Sequence, residues 1–281
     1  MRILSWNIQW GRGIDGRVDL ARTAAVIRQH QPDIVCLQEV AVNHPGLPGG
    51  AGGDQPARLA AWFPDWESVY GAASDLPDGR GGRRQFGQAL FSRWPILQVF
   101  RHLLPFPSEP ALPAMPRLAL EAAIDTPQGP LRMVTTHLEY YSIRQRMAQV
   151  DFLRELQMLG HRHAVAPRSA AEVDPPFAVL PRGEQAVFCG DFNFPSGAAE
   201  YARLRETLAA DVPPLVDAWI IAHPAVPPAP TFGVHDAGFI TAPAMYDFFF
   251  VSGNLTSRVD NVTVDAETTA SDHQPILLDL V

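Results

Sequence analysis

The segment from Asp33 to Val40 reads Asp-Ile-Val-Cys-Leu-Gln-Glu-Val, a nearly continuous apolar run that carries a carboxylate at its far end. A strand with so little polar alternation is one buried on both faces, so other layers must cover it from either side. Strand-like and helix-like segments alternate along the rest of the chain, which predicts an α/β class protein. Arg2 to Ile8 reads as a strand closing in a turn around Trp6 to Gly11. Val18 to His30 places Leu20, Ala24 and Ile27 on one face, with Pro32 just past its end, as a helix would.

Asn43 to Gln55, rich in glycine, reads as a loop, followed by a short helix around Ala57 to Phe63 and a strand near Ser68 to Tyr70. Ser74 to Gln85 reads as a second polar loop, holding Arg80, Arg83 and Arg84. Gln88 to Ser92 and Leu97 to Leu103 are predicted strands, and a proline-broken stretch, Pro105 to Pro116, leads to another at Arg117 to Asp125. Leu131 to Leu138 is a strand and Ser142 to Leu159 a long helix, with Gly160 as its stop. His161 to Glu184 is expected to be an exposed, partly mobile excursion. Ala186 to Cys189 is a strand opening into Gly190-Asp191-Phe192-Asn193, and Ser196 is placed to cap a helix carrying Tyr201, Leu204 and Leu208. Later strands are expected at Asp247 to Val251, Ser257 to Val264 and Pro275 to Leu280. We expect a single domain over residues 1–281, built from two halves of similar βα style meeting near residues 126–130.

A composition of 47% apolar and 19% charged residues excludes a disordered or fibrous chain. No apolar run approaches the ~18 residues that span a bilayer. Met1-Arg2 leads straight into strand-like sequence, with no signal-peptide cleavage site. An integral membrane protein is therefore not expected. Cys36 and Cys189 each lie inside an apolar run and read as buried thiols, so a cytoplasmic location is the simplest expectation. All 22 basic residues are arginine, which excludes a phosphate-loop lysine and a Schiff-base lysine. The net charge of -8 disfavours long nucleic acid as the partner, because such binding draws on a basic face.

Five polar clusters each sit at or just beyond the end of an apolar strand: Asn7, Glu39, His137, Asp191 with Asn193, and the late group Asp247, Asp272 and His273. Singly, each has an ordinary reading as a turn residue, a surface carboxylate or a hydrogen-bonded core histidine. Together they fall where layered α/β folds bind ligands. Oxygen donors without thiolates suit Mg²⁺, with Mn²⁺ as the alternative, rather than zinc. Two histidines beside such a cation suit acid–base work near neutral pH, and the combination points to hydrolysis of a phosphate ester.

Taken in order, Ser5-Trp6-Asn7-Ile8, Asp33 to Val40, Thr136-His137-Leu138, Gly190 to Asn193, Tyr246-Asp247 and Ser271-Asp272-His273 resemble the signatures of the endonuclease/exonuclease/phosphatase superfamily of metal-dependent phosphoesterases. The resemblance implies a four-layer α/β/β/α sandwich, two facing mixed β-sheets flanked by helices, with the site at one edge. It implies Glu39 as the main Mg²⁺ ligand, with Asn7 and Asp272 nearby. Asp191 and Asn193 would orient the attacking water and the phosphate, and could hold a second metal. Asp247 would orient His273, and His273 and Asp191 are rival candidates for the base. His137 would donate to the leaving oxygen or bind the phosphate.

For the substrate, Gln9 and Ala41 stand where deoxyribonuclease-type members carry arginines. Residues 84–88 also lack the carboxylate those nucleases place ahead of the central strand as a partner for the His137 equivalent. The favoured substrate is a small or lipid-type phosphoester, monoester or diester. A DNA or RNA nuclease is the runner-up and a catalytically silent binding scaffold the third reading. Arg117 matches a phosphate-binding arginine of the superfamily, and Arg83 and Arg84 are candidates to overhang the cleft from their loop. Trp10, Tyr140, Tyr141 and Phe194 directly follow site motifs and are candidates for an aromatic rim around a base, ring or acyl group. No motif indicates a protein partner.

Overall fold

The computed structural model describes residues 1–166, 180–236 and 242–281. The apolar run at Asp33 to Val40 becomes β2 (Ile34–His44), whose first five residues are all buried. Alternation along it feeds two cores. Ile34 and Cys36 face the space between two sheets, while Val35 and Leu37 face outward under helices. In β1 (Arg2–Asn7) the same period sends Ile3 inward and Leu4 and Trp6 outward.

The first sheet has the order β12 (Val259–Val264), β13 (Ile276–Leu280), β1, β2, β5 (Arg83–Ser92), β4 (Glu67–Pro77), and β3 (Ala51–Asp54) pairs with β2. The second runs β10 (Leu215–Asp217), β11 (Asp247–Ser252), β9 (Gln185–Asp191), β8 (Gly129–His137), β7 (Leu118–Thr126), β6 (Ile96–Leu103). β1 and β2 are parallel, as are β8 and β9, within otherwise antiparallel sheets, so both sheets are mixed. Leu20, Ala24 and Ile27 of α1 (Leu20–His30) and Leu59 of α2 (Gln55–Ala60) cover the outer face of the first sheet. α3 (Ile143–Val165) and α4 (Ala199–Arg205) pack on the second through Val150, Leu153, Leu156 and Leu204, and α5 (Ala218–Ala222) sits beside β11 and β12. The result is the four-layer sandwich of two facing mixed sheets flanked by helices. Among the described residues no helix is long and apolar enough to cross a membrane.

Several local expectations differ from the structure, each for a physical reason. Ser74 to Gln85 is not a loop but a β-hairpin, with Pro77 opposite Arg83 and the turn closed by Asp78 Oδ1 accepting from the backbone N–H of Arg80 and Gly82. Its outer end has solvent on both faces, so it lacks the apolar alternation that marks a strand. The expected loop at Asn43 to Gln55 likewise contains the end of β2 and all of β3. The long helix does not stop at Gly160 but continues to Val165. A Cβ on Gly160 would lie 2.3 Å from Arg132 Nη1, so this glycine makes room for a fully buried guanidinium instead of ending a helix. His161 is thus helical, and residues 167–179 of the expected excursion lie outside the described residues. Ser196 caps nothing: α4 starts after Ala198, without a side-chain cap, and Leu208 lies beyond its end.

Candidate active site

The site is built from strand ends of both sheets. In the second sheet the register sets His137, Asp191 and Asp247 side by side at the ends of β8, β9 and β11. Gly190 allows this close row: its φ is +132°, and a Cβ there would sit 1.9 Å from the carbonyl oxygen of Thr136. In the first sheet, the β2–β5 register breaks between Leu37 and Val40, and Glu39 adopts φ +58°. A non-glycine residue in this region costs about 1–2 kcal/mol, and such a bulge re-aims a side chain out of its regular alternation. Gln9 and Trp10 (φ +45° and +47°) and Asn193 (φ +53°) share this strained conformation around the same cluster.

Asn7 links the two sheets. Its Nδ2 donates to Asp191 Oδ2 at 3.0 Å and to Glu39 Oε1 at 3.3 Å, while its Oδ1 accepts from Gln9 N. In this arrangement the amide orients two carboxylates rather than presenting an oxygen. Gln9 Nε2 donates to Asp272 Oδ2 at 2.6 Å, and Arg12 Nη1 donates to Gln9 Oε1. Asn193 donates its backbone N–H to Asp191 Oδ1 and its Nδ2 to the carbonyl of Leu138. His273 Nδ1 bonds Asp247 Oδ2 at 2.8 Å, and its Nε2 faces Asp191 Oδ2 at 3.5 Å. His137 Nε2 approaches the same Asp191 oxygen at 3.4 Å, with Nδ1 3.8 Å from Glu39 Oε1. Asp191 is thus the hub. Asp191, Asp247 and His273 form a compact group whose donor atoms lie within 4.8 Å of one another.

Burial and crowding set the charge states. Glu39 is pushed up to about 7, first by burial and then by the Asp272 carboxylate. Burial also raises Asp191 and Asp272 above the usual carboxylate range. For His273 burial favours the neutral ring, but Asp247, Asp191 and Asp272 together outweigh it and lift the imidazole to about 10. His137 goes the other way: burial, Arg117 and the His273 charge hold it well below the ordinary histidine value. At neutral pH one imidazole is therefore a cation and the other neutral. Crowded carboxylates that resist ionisation are what a divalent cation relieves, and the tightest donor group here, Asp191, Asp247 and His273, sets carboxylate oxygens beside one imidazole nitrogen. Asp247 Oδ1 is buried without a hydrogen-bond partner, and its other oxygen is committed to His273.

The proposed arginines behave differently. Arg117 is buried and paired with the fully buried Glu139 at 3.3 Å. Arg83 is exposed and bound to Asp75 on the hairpin, and Arg84 is half-buried on β5 near His44. Neither sits on a loop as expected. Phe194 is fully buried in the core and takes no part in a rim, whereas Tyr140 and Tyr141 are exposed. Glu139, Gln9 and Phe232, which stacks on His273 with ring centroids 4.6 Å apart, were not singled out as site residues. Gln9 and Glu139 each lie two residues past a site residue, Asn7 and His137, a signal available in the sequence, while Phe232 sits on a short bridge to His273 that no periodicity marks.

Two facing mixed sheets thus carry a strand-end cluster of carboxylates with two histidines among them. Residues 4–273 match the model of the Endonuclease/Exonuclease/phosphatase family, and the chain belongs to that family, whose members are hydrolases acting on phosphoester bonds. An endonuclease/exonuclease/phosphatase from Beutenbergia cavernae DSM 12333 is 26% identical, with a TM-score of 0.72 over all of this chain and 71% of that one. The mannosyl-6-phosphatase Bt3783 of Bacteroides thetaiotaomicron VPI-5482 shares the fold at 18% identity, with a TM-score of 0.67 over all of this chain and 99% of that one. So does a truncated Caenorhabditis elegans TDP2, at 19% identity and a TM-score of 0.62, over all of this chain and 97% of that one. No curated protein matches the sequence.

Proposed function

We propose that this protein hydrolyses a small phosphoester with the help of a divalent cation, Mg²⁺ or Mn²⁺. The observation that carries the reading is Asp191, which meets both imidazoles and the Asn7 amide from the centre of the cluster. A cation held by Glu39 and Asp272 would neutralise charge developing on the phosphate oxygens. His273, charged and braced by Asp247, donates a hydrogen bond to the phosphoryl group. Asp191, its acidity weakened by burial, orients the attacking water and accepts its proton. His137, neutral and hydrogen-bond competent, serves the phosphate or the leaving oxygen. Asn7 and Gln9 hold the carboxylates in place. Arg117, Arg146 and Arg12 are engaged with Glu139, Glu200 and Gln9, which together with the acidic net charge favours a small substrate over a polymer. The buried thiols Cys36 and Cys189 suit a reducing, cytoplasmic setting.

The test is hydrolysis of 4-nitrophenyl phosphate and bis(4-nitrophenyl) phosphate with and without Mg²⁺ or Mn²⁺. Turnover that needs the cation and is lost in Asp191→Ala supports the reading. Cation-independent turnover, or none on either ester, counts against it. Relaxation of supercoiled plasmid by the wild type but not by His137→Ala would show a polymer to be the substrate.

A further inference from the structure

Four aromatic rings lie about the strand-end cluster in two contacting pairs. Phe232 stacks on His273 at 4.6 Å and meets Tyr246 edge-on at 5.8 Å. The Tyr246 phenol lies within electrostatic reach of both Asp191 and Tyr140. Tyr140 in turn packs edge-on against Tyr141 at 4.9 Å. The two outer rings are 39% and 55% exposed, only a few residues past His137.

Exposed aromatics on a floppy loop would carry little information, but this loop is braced. Glu139 accepts from Tyr141 N and from Arg117, and its own N–H donates to Gln149 Oε1. Arg146 Nη1 donates to the carbonyls of Glu139 and Tyr140 while its guanidinium holds Glu200. Ser142 caps α3 through Gln145 N and bonds Glu109. The backbone that carries both tyrosines is thus held in place before any ligand arrives, which lowers the entropic cost of binding.

We propose that Tyr140 and Tyr141 form a stacking platform that selects phosphoesters bearing an aromatic ring in their organic portion, a specificity role resting on the phosphoesterase reading above. The polar groups beside the platform argue for an aromatic ring over a sugar. Both oxygens of Glu139, the guanidinium of Arg146 and the hydroxyl of Ser142 are already engaged, so they do not read ring hydroxyls. What the pair offers is one π-face flanked by the edge of its neighbour, which accepts a planar ring of any substitution.

Calorimetry in MgCl₂ tests this with probes that cannot be turned over: phenylphosphonate, ethylphosphonate and glucose 6-phosphonate, standing in for the aryl, alkyl and sugar esters. The wild type should bind the aryl probe roughly ten-fold more tightly than either other probe, the order expected of one stacked ring. Tyr140→Ala/Tyr141→Ala should erase that ratio, and Tyr140→Phe/Tyr141→Phe should keep it. A wild type that binds the alkyl or sugar probe as tightly as the aryl probe overturns the proposal. So does an Ala/Ala variant that retains the preference, or an Ala/Ala variant that weakens all three probes equally. Aryl preference together with an absence of hydrolysis upholds the platform and removes the phosphoesterase reading instead.

Discussion

Replacing Asp247 with asparagine isolates what one buried carboxylate does for the site. Asp247 has no exposed surface, and one of its oxygens holds His273 Nδ1 at 2.8 Å. Asparagine keeps the shape and an acceptor but deletes the charge. Asp247 heads the contributions that lift His273 to about 10 against the opposing effect of burial, so its loss should return the ring toward neutrality near pH 7. A rate loss of about 10²–10⁴ in kcat/KM follows if the charged imidazole acts in the transition state. Losing one partner of a buried pair costs about 3 kcal/mol, which for a chain of this size is a fall of roughly 6 °C in Tm. The sign with pH is fixed by the raised value in the folded state. The stabilisation is fully present below the unfolded histidine value of about 6.5 and disappears as pH rises through about 10. Urea denaturation in chelator should therefore separate wild type from Asp247→Asn most widely at about pH 5–6.5, where Asp247 is ionised and the imidazole charged, and least near pH 10. Histidine ring NMR reads the shift directly. The reasoning is refuted by a variant within three-fold of wild-type kcat/KM whose His273 titrates as before.

Three further outcomes test other parts of the structure. Glu39→Gln should weaken Mg²⁺ binding at least about ten-fold in calorimetry, because it removes a carboxylate from the oxygen cluster; because Glu39 lies at about 7, wild-type affinity should climb with pH and flatten above it, with proton release on binding. Gly160→Ala sets a helix-propensity gain of about 1 kcal/mol against overpacking of about 1–3 kcal/mol. With Arg132 held by Gln157 and the Leu156 carbonyl, the clash should win in urea denaturation, and a more stable variant would show that the guanidinium can move. Arg83→Ala breaks only an exposed pair with Asp75, so stability should change by less than about 1 kcal/mol and steady-state kinetics should match the wild type; a large rise in KM would return Arg83 to the substrate.

The parts of the fold legible in the sequence are those where one physical demand dominates. β2 is apolar on both sides because both sides are covered, and α1 shows one stripe because one face is covered. The polar clusters were visible because each follows such a strand directly, and the structure brings Asn7, Glu39, His137, Asp191, Asn193, Asp247, Asp272 and His273 into one neighbourhood. Illegible were the features set by partners distant in sequence. Gly160 reads as a helix stop unless Arg132, on another element, is known to fill its space. The β4–β5 hairpin looks like loop because each strand satisfies the other's backbone while their side chains face water. Glu139 passes for a surface carboxylate until Arg117 is seen beside it.

β1 lies inside the first sheet, with β2 on one side and β13 on the other. The β2 partner follows within some thirty residues, but the β13 partner spans Ile276–Leu280. During synthesis, then, one edge of β1 stays unpaired while almost the whole chain emerges from the ribosome, an interval in which an open edge invites pairing with other chains. The same delay governs the site, because Ser271, Asp272 and His273 arrive just ahead of β13, and Ser271 and Asp272 reach Asn7 and Gln9 only when it docks. Nascent polypeptide accordingly has no assembled strand-end cluster, and the site is completed only as β13 closes the sheet.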